Sequence, residues 1–168
     1  MIPLEPQFSE ACEVLEMLSR VLREGKSIAL EHPLRRLEAI YQVAAVATRQ
    51  TILTTLADFR CSEALPIFIR ALQKDESALV RHEAAFAVGI LGNESHTHFL
   101  VHAMLNDPHL MVRHEAATAL ATVGNESCIS PLEQACTDQS VAVAESARFA
   151  LHYVVRRISL KQRSALHR

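Results

Sequence analysis

Two copies of Arg-His-Glu-Ala-Ala hold the residues of this 168-residue chain best suited to chemistry, the pairs His82-Glu83 and His114-Glu115. Imidazoles and carboxylates without thiolate suit Fe(II), Mn or Zn, and two imidazoles plus one carboxylate with open positions are typical of oxygen-activating iron. Iron is therefore the expected metal, with His82, Glu83, His114 and Glu115 as its ligands. Each bound imidazole would also need an acceptor for its second nitrogen, which the sequence does not identify. A single Arg-His-Glu on a helix is ordinarily a solvated face. What speaks for a site is replacement elsewhere: related segments carry Gln50-Thr51 and Glu145-Ser146 at the same places, so His-Glu is not a scaffold consensus.

Other reactive groups are read more plainly. His96, His98, His102 and His109 lie close in sequence but scatter around one helix and its turn, without equivalents in the other segments, and read as surface histidines. Cys12, Cys61, Cys128 and Cys136 form no Cys-x-x-Cys pair. Structural zinc usually takes paired ligands at short spacing, so free, mostly buried thiols in a reducing cytosol are expected instead. No Gly-rich phosphate loop or nucleophile elbow is present.

An internal repeat positions the two pairs. Leu79-Val80-Arg81-His82-Glu83-Ala84-Ala85 aligns with Met111-Val112-Arg113-His114-Glu115-Ala116-Ala117, a period of 114 − 82 = 32 residues, and Gly92-Asn93-Glu94-Ser95 recurs as Gly124-Asn125-Glu126-Ser127 at the same offset. A third copy follows after 31 residues, with Val143-Ala144-Glu145-Ser146-Ala147 under the motif and Asp138 under Asp107. A degenerate first copy spans about His32 to Arg60. Within a copy, Leu65, Phe68, Ile69 and Leu72 recur at helical spacing, Lys74-Asp75-Glu76-Ser77 breaks the run, and Val80, Ala84, Ala87, Val88 and Leu91 resume it. Asp107-Pro108 and Thr137-Asp138 mark equivalent turns, where Asp is expected to cap the next helix and Pro to fit its first turn. Gly92 and Gly124 fall where left-handed helix caps are expected.

The expected fold is all-α, a short α-solenoid of about four helical hairpins. Ankyrin and tetratricopeptide signatures are absent, which leaves a HEAT-like repeat. Residues 1–30 read as an amino-terminal capping helix, 31–155 as the repeats, and 156–168 as a basic tail that frays or is disordered. Neighbouring second helices lie about 8 to 10 Å apart, so His82 and His114 are expected to meet on one ion, with Glu83 and Glu115 bringing carboxylates to the same patch.

Composition narrows the setting. With 17 Lys and Arg against 19 Asp and Glu, no excess cation is available to neutralise a phosphate backbone, and nucleic acid is not an expected partner. The start Met1-Ile2-Pro3-Leu4-Glu5-Pro6 lacks a secretory signal, and no run reaches the length of a membrane span, so a cytoplasmic protein is expected. Apolar residues are 49% but aromatics only 5%, which calls for a core of Ala, Leu, Val and Ile.

Ser77-Ala78-Leu79-Val80-Arg81-His82-Glu83, Met111-Val112-Arg113-His114-Glu115-Ala116-Ala117-Thr118-Ala119-Leu120 and Val143-Ala144-Glu145-Ser146 together resemble deoxyhypusine hydroxylase, a HEAT-repeat di-iron monooxygenase, over roughly residues 30 to 155. The likeness extends more loosely to the HEAT-like repeats of phycobilin lyases. It implies iron with dioxygen as co-substrate and a protein or amine-bearing substrate. It also implies His82, His114 and Glu115 as iron ligands, and Glu83 as a further ligand or a catalytic contact for a cationic amine. That family carries four His-Glu motifs and this chain matches one half, so a two-fold homodimer would restore the set. The competing expectation is a non-catalytic HEAT scaffold that binds another protein.

Overall fold

A computed structural model describes residues 5–24 and 30–166, so the first four residues, 25–29 and the last two of the proposed cap and tail lie outside the described residues. Among these the chain forms α-helices joined by short turns, and no strand. Helix α1 (Pro6–Arg23) covers α2 (Glu31–Val43) and α3 (Val46–Asp58). The hairpins α4 (Leu65–Lys74) with α5 (Ala78–Leu91), α6 (Thr97–Asn106) with α7 (Leu110–Val123), and α8 (Ile129–Ala135) with α9 (Val141–Leu166) follow. The second helices α3, α5, α7 and α9 pack successively against one another, making the short all-α solenoid of HEAT-like hairpins that the period implied.

Small side chains let these second helices approach closely. Ala84, Ala85, Ala116 and Ala117 are fully buried, and a Cβ placed on Gly89 would lie 2.7 Å from the Cβ of Ala119. Larger side chains such as Phe68, Leu100, Met104 and Leu132 fill the space between the two helical layers.

A ladder of partly buried ion pairs ties each repeat to the next. Arg81 Nε and Nη2 donate to Asp107 Oδ2 and Oδ1 at 2.7 and 2.9 Å, while its Nη1 donates to the carbonyl of Asp75 at 2.8 Å. Arg49 binds Asp75 in the same two-pronged way at 2.8 and 3.0 Å, and Arg113 binds Asp138 at 2.8 and 3.1 Å. Each Asp also accepts a backbone N–H two residues on, from Ser77, His109 and Ser140. Burial raises the Asp75 carboxyl, but hydrogen bonds from Arg49, Tyr41 and Ser77 outweigh it and hold the group below the usual carboxylate range. Ala144 occupies the place of the next arginine, so the ladder ends at Asp138.

Two local expectations are corrected. Gly92 and Gly124 are not left-handed, with φ of −77° and −61°. Glycine is needed there for space, since a Cβ would sit 2.4 Å from the carbonyl of Val88 or Leu120. The turn aspartates stand two residues before the helix caps Ser77 and His109, leaving Pro108 ahead of α7 rather than in its first turn. Helix α9 continues through Leu166 into the proposed tail, and Arg157 anchors the start of that stretch to the carbonyls of Ala121, at 2.6 Å, and Thr122.

The recurring Asn-Glu-Ser is a turn device. Asn93 Oδ1 accepts from the N–H and hydroxyl of Ser95 at 3.0 and 2.6 Å, and Asn125 repeats this with Ser127. His96 accepts from the Asn93 N–H and His109 from the Met111 N–H, so both cap helix ends. The four cysteines are free thiols.

Candidate functional site

One side of each second helix is left uncovered. On α5 this side presents Leu79, His82, Glu83, Phe86 and Ile90, spaced by three, four, seven and eleven residues from the first as a single helical stripe requires. The corresponding residues are Met111, His114, Glu115, Thr118 and Thr122 on α7, and Ala142, Glu145, Ser146, Phe149 and Tyr153 on α9. None of these is buried. The opposite stripe of α5, Val80, Ala84, Ala87 and Val88, is fully buried, as the periodicity required.

The His-Glu row therefore lies between two partly apolar rows. His82 sits between two carboxylates, its Nε2 3.5 Å from Glu115 Oε2 across the seam and its Nδ1 3.7 Å from Glu83 Oε1 on its own helix. That Nδ1 is buried and has no hydrogen-bond partner. His114 has a different neighbour: its Nδ1 lies 2.8 Å from Ser146 Oγ and 3.4 Å from the carbonyl of Ala142 on α9.

Both imidazoles obey one rule, reaching forward across the seam to the residue that follows the aligned histidine position. For His82 that residue is a carboxylate; for His114 it is a hydroxyl. The expected meeting of the two imidazoles on one ion is thus replaced by a contact on each of two seams, and only the α5–α7 seam joins imidazole to carboxylate. Ser146 was missed as a partner, because the repeat period does not tell which residue of the next helix an imidazole reaches.

The acids at this seam are not neutralised by arginine, since Arg81 and Arg113 are held by Asp107 and Asp138. Burial raises the Glu115 carboxyl above its ordinary value, against the attraction of His82 and His114, while Glu83 adds to the rise. Two donors each about 2.1 Å from one ion stand about 3.4 Å apart at a tetrahedral angle, close to the His82–Glu115 spacing. The unpartnered Nδ1 beside Glu83 also matches the carboxylate that usually orients a metal-bound imidazole. The donors and the orphaned nitrogen fit a cation, although among the described residues no three His, Cys, Asp or Glu side chains converge as a formed metal cluster.

Compared with known families, residues 34–109 match HEAT repeats and residues 112–138 match the PBS lyase HEAT-like repeat. No curated protein matches the chain. Among the described residues no helix is long and apolar enough to cross a membrane.

Proposed function

We propose that this HEAT-repeat chain binds non-haem iron at the α5–α7 seam and acts as a deoxyhypusine hydroxylase-like monooxygenase on a protein or amine-bearing substrate, with dioxygen as co-substrate. The observation that carries the reading is His82, seated between Glu115 and Glu83 with a buried nitrogen left unpaired. His82 and Glu115 would hold the ion, while His114, one residue before Glu115, is turned to Ser146 across the next seam. When bound, the iron would supply dioxygen activation.

The chain's own groups perform the remaining tasks. Glu83 Oε1 lies 3.7 Å from the unpaired Nδ1 of His82, near enough to orient the ring by a small side-chain adjustment, and its other oxygen is available to a cationic amine on the open face. Arg81 and Arg113 are spent on the ladder, so no fixed cation competes with an ion or an amine for these carboxylates. Free thiols at all four cysteines accord with a reducing, cytoplasmic setting.

Because only one seam pairs imidazole with carboxylate, the reading specifies one iron per chain, and a two-fold homodimer would bring two. Metal analysis of protein purified without oxygen tests it. About one iron per chain is expected, lost in His82→Ala and Glu115→Ala and bound about 10- to 100-fold more weakly in Glu83→Gln. Iron far below one per chain, or unchanged in the His82 and Glu115 variants, overturns it. The second reading, a non-catalytic scaffold, is favoured by the exposed Leu79, Phe86, Met111 and Phe149 around the same row. It requires partner binding that survives His82→Ala.

A further inference from the structure

The open face and the end of α9 carry opposite charge. The stripes on α5, α7 and α9 hold Glu83, Glu115 and Glu145, the matching stripe of α3 ends in Asp58, and none of them contains Lys or Arg. From residue 148 onward the sequence has the cations Arg148, Arg156, Arg157, Lys161, Arg163 and Arg168 and no acid at all.

The last turns of α9 are also unpacked. Residues 159–165 are all exposed, with Leu160 at 54%, whereas the helix is anchored earlier through Val143, Ala147, Ala150 and Val154. Lys161 meets Glu94 in an exposed pair at 2.8 Å, but Arg156 and Arg163 have no ion pair among the described residues. An apolar residue flanked by cations thus projects from one part of the chain, while acids flanked by exposed Leu79, Phe86, Met111 and Phe149 lie on another.

We propose that this chain binds a second copy of itself, the α9 end of one copy seating on the acidic open face of the next. The interface joins two different patches, so it is heterologous, and charge steers the encounter while Leu160 adds apolar contact. This goes beyond the iron reading and does not depend on it, because the cations of α9 are assigned to the exposed Glu145 and Asp58 beside the His-Glu row rather than to Glu83 or Glu115.

The test is sedimentation of the full chain. Wild type is expected to exceed the mass of one chain at about 0.01 M salt and to dissociate at about 1 M, where the screening length falls from about 30 to about 3 Å. The tail variant Arg156→Gln/Lys161→Gln/Arg163→Gln and the face variant Thr118→Lys/Glu145→Lys each lose about tenfold or more in association. Neither replaces His82, Glu83, His114 or Glu115, and Thr118 meets the row only through its hydrogen bond to the His114 backbone carbonyl, so iron content at saturating metal stays at the wild-type level in both, which separates this outcome from failure of the metal reading. The deciding result is the mixture: each variant keeps the patch the other lacks, so together they form a one-to-one dimer and nothing larger. A wild type that remains a single chain at low salt overturns the proposal. So do variants that associate like wild type, or a mixture without a dimer.

Discussion

Replacing Arg81 with Met keeps an unbranched stem but removes the guanidinium, and with it the charge and every donor. Arg81 and Asp107 are 11% and 6% exposed as side chains, so the substitution strands a nearly buried carboxylate whose Oδ2 then has no donor. The carbonyls of Asp75 and Glu76 lose a donor as well. Breaking one side of a buried ion pair costs about 3 to 5 kcal/mol. The turn carbonyls can regain water, which places this case near the lower bound, about 3 kcal/mol. At this chain length each kcal/mol moves the midpoint by about 2 to 4 °C, so thermal unfolding followed by circular dichroism should show a fall of about 6 to 12 °C. Adding Asp107→Asn removes the stranded charge and keeps an acceptor for the His109 N–H. The double variant should recover about 2 kcal/mol as coupling energy in the double-mutant cycle. A cost under about 1 kcal/mol for Arg81→Met, or no recovery in the double variant, would refute the view that the ladder clamps the seam holding His82 beside Glu115.

Three further outcomes follow from the same geometry. Gly89→Ala drives a Cβ to 2.7 Å from that of Ala119 and should cost about 1 to 3 kcal/mol in urea unfolding, recovered by adding Ala119→Gly. Glu115 has a raised pKa in the fold, so the folded chain holds this proton more tightly than the unfolded one, and metal-free stability falls as pH rises above the ordinary carboxyl value of 4.5. Glu115→Gln should therefore raise the melting point of metal-free protein at pH about 7 and lose that advantage below pH about 4; no gain at neutral pH would contradict the assigned burial. Ser146→Glu gives His114 a carboxylate in the position that Glu115 holds toward His82, and iron per chain should rise from about one to about two. Iron unchanged by it would mean that forward reach across a seam is not what makes a site.

The fold was legible because repetition makes sequence redundant: a 32-residue offset recurs in two unrelated motifs, and the buried stripe of α5 followed from helical spacing. The ladder was less visible because Arg81 and Asp107 lie on different repeats, 26 residues apart, and only the stacked fold makes them neighbours. Gly92 and Gly124 were located correctly but for the wrong cause, since a sequence shows that a Cβ is absent and not whether φ or crowding forbids it. His82, Glu83, His114 and Glu115 were correctly set outside the buried arc, yet which imidazole meets which carboxylate depends on the stagger between helices, and the 32-residue period does not encode that stagger.

That stagger determines how many sites a given number of motifs can make. Each histidine addresses the residue after the aligned position in the following repeat, so a run of n adjacent His-Glu repeats contains n − 1 complete seams. Two motifs give one, because the repeat before Glu83 carries Gln50 in place of a histidine and His114 faces forward to Ser146. The leading carboxylate and the trailing imidazole are then structurally distinct from the central pair: Glu83 can orient His82 or meet a substrate, and His114 is tethered by a hydroxyl rather than an acid. A duplicated motif in a stacked repeat is therefore not two equivalent half-sites that meet in the middle. It is one seam with two flanking positions of different chemistry, and only variants at both flanks as well as at the centre can separate a metal centre from a merely acidic face.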